Sequence, residues 1–133
     1  MYYAFDTGYF FSLIDRPDDV VQSAWRDLRD DTATGVVARV VLYELKRHAL
    51  VGRLSTATVD TLVATADEAF RILWMDTTSR ADRAARLAYG EGLSMADALV
   101  LMGALDTKAS RLYTGDSDLL ALDGFESLDI IEV

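Results

Sequence analysis

The chain contains no cysteine, a single histidine and a single proline. The lack of cysteine excludes disulfides and thiolate metal sites, and His48 cannot build a histidine-based zinc site by itself. Any metal site in this chain must therefore use oxygen ligands, which hard ions such as Mg²⁺ and Mn²⁺ prefer.

Long hydrophobic runs are also absent. No segment approaches the roughly 20 apolar residues of a membrane span, and the first residues have neither the basic start nor the apolar length of a signal peptide. We therefore expect a cytoplasmic protein with no membrane partner. With 133 residues, 51% of them apolar, the chain has the size of one compact domain, and we predict a single domain over residues 1–133.

Positive charge is scarce, because 13 Lys and Arg face 22 Asp and Glu and the net charge is −9. This charge opposes broad, sequence-independent adhesion to nucleic acid or anionic lipid. It does not exclude RNA as a substrate, because a divalent ion and a local arginine patch reverse the field inside one cleft.

Hydrophobic periodicity predicts strands that alternate with helices along the whole chain. We predict strands over residues 2–6, 35–38, 70–75, 111–114 and 128–132. We predict helices over residues 8–14, 18–30, 39–51, 56–68, 79–90, 94–107 and 117–122. This alternation indicates βαβ units and an α/β fold class, a three-layer α/β/α domain with a central, mostly parallel sheet.

Acidic residues lie where such a domain carries its chemistry. Asp6 ends the first strand, Glu44 lies in the helix after the second, Asp97 opens a long helix, and Asp116 with Asp118 follows the strand at 111–114. The carboxyl ends of parallel strands meet at one edge of a sheet, so these acids can converge there. Converging carboxylates raise one another's pKa unless a cation lies between them. A Mg²⁺ or Mn²⁺ site is therefore the leading hypothesis.

The acids also have structural interpretations. Taken alone, Asp6 is best explained as a helix N-cap. Glu44 shares a polar stripe with Arg47 and His48, and alone it is better explained by pairing at i+3 or i+4. Asp97 faces the apolar side of its helix, where either a capping box with Ser94 or a metal compensates its charge. Asp116 and Asp118 also suit a helix cap and a first-turn acid.

The order and spacing of these motifs resemble the PIN domain, a family of small metal-dependent nucleases, and especially its VapC-type toxin branch. The segment FDTGYFFSLID resembles the opening strand with the first acid, and VVLYELKRHAL resembles the helix with the second. The segment LSMADALVLMGALDTKASRLYTGDSDLLAL resembles the run with the third and fourth. Gly8 departs from the family pattern, where serine or asparagine is common, as does the Ala38-Arg39 entry to the second acid's helix.

The resemblance implies a site and a reaction. The acidic pocket would be formed by Asp6, Glu44, Asp97 and Asp116, with Asp118 as an accessory acid and the Thr7 and Thr114 hydroxyls in support. Metal ligation is implied for Asp6, Asp97, Asp116 and Asp118. The implied reaction is hydrolysis of RNA phosphodiesters by metal-activated water, leaving a 5′-phosphate. The implied partners are a second copy of the chain and an antitoxin that covers the pocket.

Two other functions are open at this point. A receiver domain is also acidic, α/β and Mg²⁺-binding, but it needs two adjacent acids after its first strand, where this chain has one in Phe5-Asp6-Thr7. A catalytically silent PIN-like binding module would normally have lost at least one pocket acid, and all four are present.

Charged and aromatic surfaces outside the acids receive simpler interpretations. Arg80, Arg83 and Arg86 form a ridge on one helix, which we expect to be solvated and partly paired with Asp82, with contact to an RNA backbone or an acidic partner as the alternative. The aromatic residues are expected in the core or in dimer contacts; they are Tyr9, Phe10, Phe11, Trp25 and Trp74.

Overall fold

Five strands form the centre of the protein, which a computed structural model describes over residues 1–133. The strands are β1 (Tyr2–Phe5), β2 (Thr34–Ala38), β3 (Arg71–Leu73), β4 (Arg111–Thr114) and β5 (Asp129–Glu132). They lie in the order β3-β2-β1-β4-β5, and every neighbouring pair is parallel. The predicted sheet is therefore confirmed, and it is parallel throughout.

Helices cover both faces of this sheet. They are α1 (Thr7–Asp15), α2 (Asp19–Arg29), α3 (Arg39–Leu50), α4 (Thr56–Ala69), α5 (Thr78–Glu91), α6 (Met95–Asp106) and α7 (Ser117–Leu120). The chain steps outward from β1 to β3 and then returns across the sheet to β4. With right-handed crossovers, α1 to α4 therefore pack on one face and α5 and α6 on the other. This is the predicted three-layer α/β/α arrangement.

All predicted element boundaries agree with the observed ones to within two residues. The clearest difference is β3, which spans three residues where the sequence predicted a strand over 70–75. β3 is an edge strand, and it pairs with β2 only from Arg71 opposite Val36 to Leu73 opposite Ala38. The short pairing region limits the strand, a feature that periodicity does not report.

Side-chain caps begin six of the seven helices. The capping residues are Asp6, Asp18, Ser55, Thr77, Ser94 and Asp116. The exception is α3, which starts directly after β2 at Ala38 and has no side-chain cap. This uncapped start is the structural counterpart of the unusual Ala38-Arg39 entry noted in the sequence.

An aromatic cluster fixes α1 against the sheet. The ring of Phe5 lies 4.3 Å from that of Tyr9 and 5.4 Å from that of Tyr113, measured between centroids. Tyr9 is fully buried and donates its hydroxyl to the carbonyl of Val21 at 2.8 Å. The cluster joins β1, β4 and α1, and it therefore fixes the turn in which Asp6 lies.

Polar side chains are rare in the core, and most of those present lie at one edge of the sheet. The buried polar residues are Asp6, Thr7, Thr107 and Thr114. Three of these four lie at the carboxyl ends of β1 and β4, where the acids were predicted to meet. None of the helices has the length and apolar content needed to cross a membrane.

Candidate active site

The predicted acidic residues converge at the carboxyl edge of the sheet. Asp6 follows β1, Glu44 lies in the second turn of α3, Asp97 lies in the first turn of α6, and Asp116 follows β4. All four line one pocket of about 450 Å³. This volume falls within the range of about 300–1,000 Å³ that is typical of small-ligand sites.

Asp6 caps α1 and faces the pocket at the same time. Its Oδ1 accepts the backbone N–H of Thr7 at 2.7 Å, and its Oδ2 accepts the hydroxyl of Thr114 at 2.7 Å. Burial raises the pKa of Asp6, whereas these two hydrogen bonds oppose that rise. Asp6 can therefore be both a helix cap and a pocket residue, and the two hydrogen bonds fix the orientation of its carboxylate.

Thr114 ties the loop after β4 to the loop after β1. Its side chain is completely buried, donates to Asp6 and accepts the backbone N–H of Asp116 at 3.0 Å. One hydroxyl therefore positions two of the four pocket acids. This is a supporting contact of the kind that the resemblance implies for Thr114.

Glu44 is held by a residue from another helix. The hydroxyl of Thr7 donates to Oε1 of Glu44 at 3.1 Å. Glu44 belongs to none of the ion pairs in the protein, so the local pairing with Arg47 or His48 suggested by helical spacing is not formed. Burial raises the pKa of Glu44, the Thr7 hydrogen bond lowers it, and the charge of Asp6 raises it again.

The densest acidic cluster consists of Asp97, Asp116 and Asp118. One carboxylate oxygen of each lies within 4.8 Å of the other two. Asp116 caps α7, because its Oδ1 accepts the backbone N–H of Asp118 at 2.8 Å and that of Leu119 at 3.3 Å. Asp97 and Asp116 are half-buried, whereas Asp118 is exposed.

Asp97 has the least favourable electrostatic surroundings. Burial, followed by the charges of Asp116 and Asp6, raises the pKa of Asp97 from 3.8 to about 6. The hydroxyl of Ser94 already caps α6 by accepting the backbone N–H of Asp97 at 3.2 Å. The helix therefore does not need the Asp97 carboxylate as its cap, and a cation is the compensation that the surrounding charges favour.

The donor set fits a hard divalent cation. The cluster offers only oxygen ligands, and two oxygens bound on opposite sides of one ion at about 2.1–2.4 Å lie about 4.2–4.8 Å apart. The spacing of Asp97, Asp116 and Asp118 falls within this limit. These three residues would hold the ion, and Asp6 faces the same pocket.

Gly8 allows the two acid-bearing loops to approach closely. A Cβ atom built on Gly8 would lie 3.3 Å from the backbone nitrogen of Gly115. Gly115 immediately precedes Asp116, and Gly8 follows Asp6 by two residues. The glycine at this departure from the family pattern therefore accommodates the close packing of α1 against the loop after β4.

Two aromatic residues for which the sequence predicted no functional role also line the pocket. Phe11 and His48 meet edge to face, with ring centroids 4.8 Å apart and planes at 86°. Burial, then Arg53 and Arg47, lower the pKa of His48, which favours the neutral form of its ring. The signal available in the sequence was helical spacing, because Phe11 follows Thr7 by four residues and His48 follows Glu44 by four.

The arginine ridge lies away from the acids. Arg80 pairs with Asp76 at 2.8 Å, Arg83 with Asp106 at 2.5 Å and Arg86 with Asp82 at 2.8 Å. Asp106 ends α6 whereas Asp97 begins it, nine residues earlier, which separates them by about 14 Å along the helix. The ridge instead lines a second cavity of about 670 Å³.

Comparison with known families identifies the fold. The family model described as the PIN domain matches residues 3–124, a range that includes all five candidate acids. No curated protein sequence matches the chain.

Several solved structures share this fold, among them members of toxin–antitoxin systems. VapBC2 from Rickettsia felis, bound to a DNA fragment from its promoter, aligns with a TM-score of 0.71 at 15% identity over 100% of this chain and 99% of that chain. A toxin–antitoxin complex from Klebsiella pneumoniae aligns with a TM-score of 0.68 at 18% identity over 96% and 95%. VapBC-5 from Mycobacterium tuberculosis aligns with a TM-score of 0.62 at 22% identity over 99% and 98%.

The strand order separates this fold from that of a receiver domain. Receiver-like sheets have the order 2-1-3-4-5, whereas here β1 lies between β2 and β4. The receiver alternative is therefore set aside. Because the matching family model covers most of the chain and the predicted acids fall within it, the chain belongs to the PIN domain family.

Proposed function

We propose that this protein is a divalent-metal-dependent endoribonuclease and that residues 1–133 act as one nuclease domain. The observation that carries the proposal is the convergence of Asp6, Glu44, Asp97 and Asp116 on one pocket of a PIN domain. A binding module has no need to keep four acids in surroundings that raise the pKa of three of them. The retained electrostatic cost favours catalysis over the silent-module alternative.

The proposed roles of the residues follow from their contacts. Asp97, Asp116 and Asp118 hold Mg²⁺ or Mn²⁺ together with Asp6, and Thr114 orients Asp6 and Asp116. Glu44 is positioned by the hydroxyl of Thr7 and lines the same pocket, where its carboxylate would orient the attacking water. A bound divalent ion lowers the pKa of water and neutralises charge on the phosphate that is cleaved.

We further propose that the protein is a cytoplasmic toxin of a type II toxin–antitoxin pair. The support is its similarity in fold to structures from three such systems. A homodimer is supported by Tyr43 and Leu50, which lie seven residues apart on one side of α3 and are 64% and 87% exposed. For the ridge of Arg80, Arg83 and Arg86, its distance from the acids favours contact with the antitoxin over contact with RNA at the cleavage site.

The test is cleavage of purified cellular RNA by the isolated protein. We expect cleavage with Mg²⁺ or Mn²⁺, none with EDTA, and products with 5′-phosphate ends. Asp97→Asn should reduce the rate by at least about 100-fold, because it removes a metal ligand. The matched control is Asp67→Asn, at an exposed position on α4 outside the pocket, which should cleave like wild type. Retained cleavage in Asp97→Asn would remove Asp97 from the proposed site.

A further inference from the structure

A groove with aromatic and cationic walls continues from the acidic pocket. We propose that this groove, formed by Phe11, His48, Arg16 and Arg53, binds the nucleotide adjacent to the scissile phosphate and selects single-stranded RNA. The aromatic pair would hold an unstacked base, and the arginines would hold a neighbouring phosphate. This inference rests on the proposed ribonuclease function and adds a substrate subsite to it.

The aromatic pair lies one helical turn beyond the acids. Thr7 contacts Glu44 across α1 and α3, and Phe11 contacts His48 across the same two helices, each residue four positions later. Four residues advance a helix by about 6 Å. The two helices therefore present a polar layer, Thr7 with Glu44, next to the candidate metal ligands and an aromatic layer, Phe11 with His48, one turn further out. The distance between the two layers suits the phosphate and the base of one nucleotide.

The acidic pocket and the neighbouring cavity share Phe11 as a wall, and the charge becomes positive away from the acids. Phe11 lines both the acidic pocket and an adjoining cavity of about 480 Å³. That cavity is also lined by Arg16 and Arg53, which together outweigh the single acid Asp15.

These arginines differ from those of the ridge. Arg16 and Arg53 form no ion pair, whereas Arg80, Arg83 and Arg86 all pair with aspartates. Arg53 is held near the aromatic pair, with its guanidinium 3.5 Å from Nδ1 of His48. In a chain of net charge −9, unpaired arginines beside the acidic pocket provide local attraction for a phosphate backbone.

The aromatic layer also defines the form of RNA that fits. Base edges and faces in an A-form duplex are stacked and enclosed, whereas single-stranded bases can turn out and stack on aromatic side chains. Phe11 and His48 are half-buried and both line the pocket, so part of each ring is accessible to a ligand there. A duplex would meet the acids without filling this aromatic layer.

The experiment measures binding separately from cleavage. Binding of a uridine hexamer in Ca²⁺, in place of Mg²⁺ or Mn²⁺, is compared between the otherwise unchanged protein, taken as the parent, and versions that carry Phe11→Leu or Arg53→Gln. Phe11→Leu should weaken binding by roughly 5- to 150-fold, the effect of losing one stacked base. Arg53→Gln should lower the slope of log K against log salt by about 0.7, the value of one phosphate contact on a single strand.

Matched controls separate these effects from general ones. Phe11→Tyr keeps the aromatic face and should bind like the parent. Arg29→Gln removes the same charge from an exposed position at the end of α2 and should leave affinity and salt slope unchanged. Melting temperatures show whether each variant is folded, and Arg53, being exposed, provides a readout that does not depend on core packing.

Three results would overturn the inference. The first is a parent protein that does not bind the hexamer, and the second is a parent protein that binds a short RNA duplex equally well. The third is unchanged binding in both Phe11→Leu and Arg53→Gln. Metal-dependent RNA cleavage by the wild type, measured in parallel, tests the proposed function separately. If the wild type cleaves RNA but Phe11→Leu and Arg53→Gln bind the hexamer as the parent does, only the subsite is rejected.

Discussion

At the scale of single residues, Asp97 shows which electrostatic effect prevails in the pocket. It lies in the first turn of α6, where the helix dipole stabilises a negative charge by about 0.3–1 kcal/mol. Burial and the charges of Asp116 and Asp6 act against this, and the pKa of Asp97 is raised to about 6. Burial and like charge therefore outweigh the helix dipole, and without metal the ionised carboxylate of Asp97 destabilises the folded protein.

This imbalance predicts how stability changes with pH in EDTA. The folded pKa of Asp97, about 6, exceeds its ordinary value of 3.8, so the folded state binds more protons between these pH values and stability falls as pH rises through this window. Allowing for solvent around a half-exposed group, the loss is about 1–2 kcal/mol. Burial shifts the pKa of Asp6 and Glu44 in the same direction.

Asp97→Asn isolates this contribution. The variant should match the wild type in stability near pH 4 and exceed it near pH 7, as measured by urea unfolding in EDTA. A variant less stable than the wild type at pH 7 would mean that the Asp97 carboxylate stabilises the fold even without metal.

At the scale of secondary-structure elements, two glycines differ in the space that their neighbours leave for a side chain. Gly35 in β2 lies against Phe70 at the end of α4, and an added Cβ would be 2.9 Å from three atoms of the ring. Gly103 in α6 lies over β3, and an added Cβ would be 3.7 Å from Cβ of Leu73, an ordinary contact. The first glycine is required by packing, whereas the second is not.

The same substitution should therefore have opposite effects at these two positions. Gly35→Ala should destabilise the protein by about 1–3 kcal/mol through overpacking against Phe70. Gly103→Ala should stabilise it by up to about 1 kcal/mol, because alanine favours the helix and restricts the unfolded chain. Urea unfolding of both variants measures this, and a destabilised Gly103→Ala would show that α6 packs more tightly on β3 than these distances indicate.

At the scale of the whole molecule, the net charge of −9 makes the acidic pocket part of a generally negative surface. A divalent cation bound there offsets local repulsion and also reduces the overall charge. Because the cluster of Asp97, Asp116 and Asp118 is assembled from α6 and the β4–α7 region, an ion held by it binds the folded state in preference to the unfolded chain.

Mg²⁺ or Mn²⁺ should therefore raise the melting temperature. At ten times the dissociation constant the stabilisation is about 1.4 kcal/mol, which corresponds to roughly 4–5 °C for a domain of this size. Differential scanning fluorimetry across a metal titration measures the shift. NaCl at equal ionic strength should produce a smaller shift, and Asp97→Asn should abolish most of the metal-specific part. Equal shifts with NaCl and Mg²⁺ would contradict a specific site.

The sequence by itself determined the element types, the parallel sheet and the set of available donors. These features depend on local causes: the period of apolar residues, the caps at helix starts, and the lack of cysteine. Asp6 and Asp116 were predictable as both caps and pocket residues, because a residue that follows a parallel strand and begins a helix has one place in this architecture.

The tertiary structure decided which side chains meet across elements. Thr7 reaches Glu44 in place of the local partners Arg47 and His48, and Phe11 meets His48 at the pocket rather than in the core. The ridge arginine Arg83 finds its acid at the far end of α6. Such contacts depend on how the helices pack against one another. If two packed helices shifted by one residue, every side chain between them would meet a different partner, although the local sequence pattern would be the same.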